Sequence, residues 1–169
     1  MKSETKTAAN DGSATARSGR LATEWKAHPF LRGLGAEHLA TLEECALLTE
    51  FKPGEVIFRE GAMANRFYLI LAGRVAVELT APERAPILID QVEAGEVLGW
   101  SWLFAPYGLH FTAEAVEPTR AIFFYGTWLR ERCEENPALG YELSKRVAGV
   151  VMHRLEMMTK RCCSAERAL

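Results

Sequence analysis

Hydrophobic positions along the chain fall into three textures. Up to Arg20 the residues are small, polar and without period. Such a segment cannot bury enough apolar surface to offset the entropy of ordering, so residues 1–20 are expected to be a disordered tail. From Leu21 the pattern changes: Leu21, Trp25, Phe30, Leu31 and Leu34, then Leu39, Leu42 and Ala46, recur at helical spacing, interrupted by Pro29 and by Gly33 and Gly35. This predicts two short helices ahead of the main body.

Between Leu47 and Phe124 the apolar runs are short and bounded by Gly, Pro or charged residues: 47–51, 55–58, 67–71, 74–79, 87–91, 97–98, 111–116 and 121–125. Short strands at regular spacing predict a mainly β fold, an antiparallel β-roll of jelly-roll-like form with flanking helices. Pro53-Gly54, Glu60-Gly61, Ala72-Gly73 and Ala94-Gly95 stand where the chain has to reverse, and Gly takes positive φ without a steric penalty. After Gly126 the period lengthens again, with Trp128, Leu129 and Cys133 on a short helix. Asn136 is a plausible N-cap, with Pro137 at the first helical position, where its missing N–H costs nothing. Leu139, Leu143, Val147, Val150, Val151, Leu155, Met158 and Cys162 then recur at threes and fours, which predicts a long helix over 137–162 and leaves 164–169 as a tail. Its stripe suits a helix lying on its own domain and equally a seam between two subunits.

At 169 residues and 49% hydrophobic, the chain fits one domain, taken as 21–163. A formal charge of -2 gives no global pull toward nucleic acid or an anionic membrane. No apolar run approaches the roughly 20 residues that span a bilayer, and the N-terminus has no signal-type hydrophobic segment, so a cytoplasmic protein is expected. Cys45, Cys133, Cys162 and Cys163 lack the spacing of zinc sites and are expected to be ordinary thiols, with adjacent Cys162 and Cys163 the pair open to oxidation. An iron–sulfur cluster would need several cysteines ahead of the roll, where only Cys45 lies, and a haem would have to rely on a lone His110 or His153. His28, His38, His110 and His153 are scattered, unlike the clustered ligands of a metal enzyme on a roll. No enzyme activity, no metal and no certain cofactor are expected.

Three segments carry a resemblance: Phe51-Lys-Pro-Gly-Glu-Val-Ile-Phe-Arg-Glu-Gly61, Phe67-Tyr-Leu-Ile-Leu-Ala-Gly73-Arg-Val75 and Gly95-Glu96-Val-Leu-Gly99. In order and spacing they resemble the cyclic-nucleotide-binding domain, from about Trp25 to Cys162. The stretch from Gly95 to Pro137 looks closest to the branch of bacterial catabolite-activator and fumarate-nitrate-type regulators. The resemblance implies a pocket in which a short helix after the Gly-Glu pair turns its N-terminal amides to a cyclic phosphate. It places Gly95, Glu96, Leu98, Gly99, Trp100 and Ser101 on that segment, with Glu96 accepting from a ribose hydroxyl. It also implies an Arg about ten residues beyond the Glu, with a nearby hydroxyl completing the phosphate cage.

At that place this chain reads Pro106-Tyr-Gly-Leu-His-Phe-Thr-Ala113, and no Arg or Lys occurs between Arg84 and Arg120. Leu109, His110, Phe111 and Thr112 are therefore the expected lining. Losing one charged partner costs about 1.5–3 kcal/mol, about tenfold to over a hundredfold in affinity, so tight binding of a cyclic nucleotide is not expected. Trp100 and Trp102 face different directions, and one of them takes space that a nucleotide would need, although each alone reads as core. The regulators of that branch carry a helix-turn-helix unit after the long helix, whereas this sequence stops at Leu169, and no DNA or membrane partner is expected. The expected function is a regulatory ligand-sensing module of weak or altered specificity, a homodimer through 137–162 that signals to a partner protein. The alternative is a dimerisation scaffold with a degenerate pocket that binds no nucleotide.

Overall fold

The structure, a computed structural model, describes residues 24–80 and 85–166, so the expected tail over 1–20 lies outside the described residues. Eight strands form two antiparallel sheets. They are β1 (Leu47–Phe51), β2 (Val56–Phe58), β3 (Arg66–Ala72), β4 (Arg74–Leu79), β5 (Ile87–Glu93), β6 (Val97–Leu98), β7 (Thr112–Ala115) and β8 (Thr119–Tyr125). One sheet has the order β1-β8-β3-β6 and the other β2-β7-β4-β5. Among the described residues, three α-helices flank them: α1 (Ala36–Glu43), α2 (Gly126–Glu135) and α3 (Pro137–Glu166).

Period-two alternation decides what each strand touches. In β3, Phe67 and Leu69 face a cluster with Trp25, Leu129, Leu139 and Leu143 on the helix side. Tyr68 and Ile70 join Val75, Val77 and Val92 inside the roll. A strand covered on both faces loses its polar alternation, which is why Phe67-Tyr-Leu-Ile-Leu71 is apolar throughout. The β3–β4 hairpin turns at Gly73, with φ +91°. A Cβ there would lie 2.5 Å from Pro118 O, so this corner admits glycine alone.

The N-terminal helical expectation is met only in part. Among the described residues ahead of the roll, Trp25–Ala27 and Pro29–Leu31 are single 3-10 turns and α1 is a full helix, while Leu21 lies outside the described residues. Pro29 supplies no N–H to continue a helix, and the buried His28 Nδ1 accepts from Phe30 N–H at 3.2 Å, which favours a fresh turn. At the other end, Asn136 Oδ1 accepts from Leu139 N–H at 3.2 Å, the cap expected from sequence. The helix then runs to Glu166, past the expected 162 into the expected tail, because neither Gly nor Pro follows to stop it.

Guanidinium groups tie the helices to the body. Arg146 Nη1 donates to Phe30 O at 2.8 Å and to Arg32 O at 2.9 Å. Arg130 Nη1 donates to Trp102 O at 2.7 Å. Burial pushes the Cys45 thiol up to about 12 and Cys133 up to about 11, so neither is a thiolate near neutral pH.

Burial pulls His28 below its ordinary 6.5. The unfolded chain therefore takes up a proton that the folded chain resists, so His28 lends its full stability above 6.5 and loses it as pH falls through the lowered folded value. Melting temperature is expected to drop as pH falls below the ordinary 6.5 of His28, and His28→Asn, which keeps an acceptor for Phe30 N–H, is expected to flatten that drop. An unchanged pH profile in thermal melts of the variant would show that the loss has another source.

Candidate functional site

A cavity of about 220 Å³ lies between the roll and the second half of α3. The roll contributes Phe58 from β2, Val77 from β4, Ile89 and Asp90 from β5, and Leu98 from β6. At the end of β6 the chain turns through Gly99, with φ +79°. A Cβ there would stand 2.6 Å from Arg66 O, so glycine is what lets the next segment lie against β3. That segment, Trp100–Leu103, is one 3-10 turn. It is too short to build an appreciable helix dipole, and the amide cradle expected after the Gly-Glu pair is correspondingly small.

The two indoles separate. Trp100 and Ser101 line the cavity, with Trp100 edge-on to Phe104 at 6.1 Å. Trp102 is fully buried on the helix side, 5.9 Å from the Phe67 ring. The facing wall is Leu109, His110 and Phe111. This loop is pinned by Leu109 N–H donating to Ala62 O at 2.9 Å and by Gly61 N–H donating to Leu109 O at 2.8 Å. Arg130 lies over the Tyr107 ring at 4.2 Å.

Leu98, Gly99, Trp100, Ser101, Leu109, His110 and Phe111 thus come together as the sequence anticipates. Gly95, Glu96 and Thr112 do not. Gly95 and Glu96 border a separate depression with Arg146 and His153. Glu96 Oε2 accepts from Glu93 N–H at 2.7 Å, which turns the carboxylate onto the β5–β6 corner. Thr112 Oγ1 accepts from Glu60 N–H at 3.1 Å, a link between strand ends.

α3 closes the cavity with Val151, Arg154, Leu155 and Met158. Arg154 supplies a cation that sequence reasoning sought only between Arg84 and Arg120. Its Nη2 donates to Val97 O at 2.7 Å, and its Nε lies 3.5 Å from Asp90 Oδ2. Burial pulls its pKa down, while Asp90 and Glu96 oppose the shift. A signal was present: Val147, Val151, Arg154 and Met158 follow one another at fours and threes, so Arg154 interrupts an apolar stripe. The cavity is therefore apolar over most of its wall and polar where Arg154, Asp90, Ser101 and His110 stand. Among the described residues, no group of three or more His, Cys, Asp or Glu could hold a metal ion, and no helix is long and apolar enough to cross a membrane.

The profile of the cyclic nucleotide-binding domain family matches residues 48–136. The chain is 24% identical over 126 residues to the CRP-like cAMP-activated global transcriptional regulator of Mycobacterium tuberculosis, covering 75% of this chain and 54% of that protein. It thus spans about half the length of that relative. Among solved structures, a candidate cyclic nucleotide-binding protein from Geobacter metallireducens superposes with a TM-score of 0.70 at 31% identity, covering 81% of this chain and 96% of that one. A cyclic nucleotide-binding domain from Methylobacillus flagellatus superposes with a TM-score of 0.75 at 19% identity, covering 88% and 85%.

Trp100 in the wall and no cation on the 109–112 loop lead to one expectation for cyclic AMP. Isothermal titration should find binding weaker than micromolar, unchanged in Leu109→Arg and improved by about tenfold or more in Leu109→Arg/Trp100→Ala, the size of one charged hydrogen bond. Sub-micromolar binding by the wild type would contradict this account of the wall.

Proposed function

Because the chain belongs to the cyclic nucleotide-binding domain family, we propose that it is a regulatory ligand-sensing module, not an enzyme, that reports occupancy of the roll cavity through α3. One observation carries this reading: the roll and the long helix share a single cavity wall. A ligand acts on a conformational equilibrium only through contacts that differ between states. Here any occupant touches Val151, Arg154, Leu155 and Met158, so its presence alters how the distal half of α3 is seated.

The proximal half of α3 is fixed by buried Leu139, Leu143 and Val147. A second stripe runs along another face: Tyr141, Ala148, Met152, Leu155 and Thr159 are all exposed, at spacings of seven, four and three. At about 100° per residue these positions lie well away from the buried stripe. Their spacing is that of a two-helix seam. We assign this second stripe to a homodimer, with the cavity signal passed on to a partner protein in the cytoplasm. Affinity for cyclic nucleotides is weak, because the 109–112 loop lacks a cation and Trp100 takes up space.

The alternative, a dimerisation scaffold that binds no nucleotide, is favoured by the Asp90–Arg154 pair, which already occupies the polar end of the cavity. Ligand-dependent thermal shift separates the two readings, since only a sensing module gains stability from an occupant.

Sedimentation velocity at micromolar concentration should give a dimer. Met152→Glu should give a folded monomer, because an unpaired carboxylate would be driven into a desolvated seam. A monomeric wild type, or a variant that stays dimeric, would remove α3 from the assembly.

A further inference from the structure

We propose that the roll cavity takes a small amphipathic acid, with an apolar body of one ring or a short chain and a single carboxylate, and that this carboxylate displaces Asp90 from Arg154. The step rests on the ligand-sensing reading above and names the chemistry of its ligand. Size comes first. An apolar protein cavity of about 150 Å³ is enough to hold benzene, so about 220 Å³ suits one ring or a short chain with a carboxylate.

The wall gives the body of the ligand its character. Phe58, Val77, Leu98, Trp100, Leu109 and Phe111 present carbon, and burial of apolar surface supplies the affinity there. The charged end gives it its head group. Arg154 is a planar fork of five N–H donors, matched to a carboxylate in two-point contact. Of its three nitrogens, Nη2 serves Val97 O and Nε faces Asp90 across 3.5 Å. That separation is looser than the roughly 2.7–2.9 Å of a charge-assisted hydrogen bond, so a ligand carboxylate that closes to this distance outcompetes Asp90.

Exchange keeps the guanidinium neutralised, which matters because its side chain is only 19% exposed, and a buried charge stripped of its partner is costly. The displaced Asp90 side chain is 26% exposed, so water reaches the carboxylate that is released. The exchange also removes the ion pair that joins β5 to α3, which gives the helix a different set of contacts in the occupied state.

The probes are benzoate and hexanoate, each against its amide, benzamide or hexanamide, with cyclic AMP in parallel, read by isothermal titration and by hydrogen exchange along α3. The acids should bind at least about tenfold more tightly than the amides. Arg154→Met should abolish that preference and leave amide binding in place, Arg154→Lys should retain part of it, and Asp90→Asn should tighten acid binding severalfold. Circular dichroism establishes that each variant is folded, and Arg154→Lys keeps the test decisive if Arg154→Met is not. Equal binding of acids and amides, a preference that survives Arg154→Met, or acids that fail to bind at millimolar concentration each overturn the inference. Binding of an amide or of cyclic AMP with altered exchange in α3, in the absence of acid preference, overturns this inference alone. Failure of every probe to bind or to alter α3 overturns the ligand-sensing reading with it.

Discussion

Phe67 and Leu69 face the helices while Tyr68 and Ile70 face the roll, so one strand has to be covered on two sides at once. That demand sets up three layers: the second sheet, the sheet containing β3, and the helices with the N-terminal turns. Phe124 and Ile122 on β8 repeat the helix-facing pattern beside β3. Aromatic contacts cross the helix-side layer, with Phe67 at 5.2 Å from Phe30 and Trp25 at 5.9 Å from Phe124. Removing the helices would leave Phe67, Leu69 and Phe124 open to water, which makes α3 part of the domain's own core before it serves any other purpose.

α3 then changes character along its length. Its first turns are buried against the sheet, while further on Met152, Leu155, Met157 and Met158 are exposed. The crossover falls where the helix passes over the cavity. Arg146 holds the near side by two carbonyl contacts to the N-terminal turns, and Arg154 holds the far side through Val97 and Asp90. Each guanidinium satisfies backbone carbonyls, Arg146 those of the N-terminal turns and Arg154 that of Val97 in β6, a use for which a many-donor planar group is suited.

The roll was legible because its corners are written in glycine and its strands in short apolar runs. β4, at Arg74–Leu79, begins and ends where the sequence pattern puts it. Less legible were features that depend on what lies across the fold. Sequence separates Trp100 from Trp102 by one residue, yet only the turn at Gly99 decides that the first lines the cavity and the second fills the core. Glu96 has the chemistry of a ligand acceptor, and a local turn amide takes its carboxylate instead. Arg154 is hidden from sequence reading because it lies on the helix side of the pocket, and a charged residue on an apolar stripe reads as solvated until the facing surface is known. The stripe from Leu139 to Met158 looks like one surface in the sequence, and in the fold it is a buried face followed by a cavity wall.

The grip of Arg146 on Phe30 and Arg32 also bears on the order in which the chain assembles. The contact to Phe30 closes a loop of 116 residues, and loops of that span are slow to form. During synthesis the N-terminal turns emerge long before their carbonyl acceptors meet this donor. They must wait, with Trp25, Phe30 and Leu31 uncovered, until the roll and the first turns of α3 have left the ribosome. The helix-side layer is therefore completed late, by contacts between the N-terminal turns and α3.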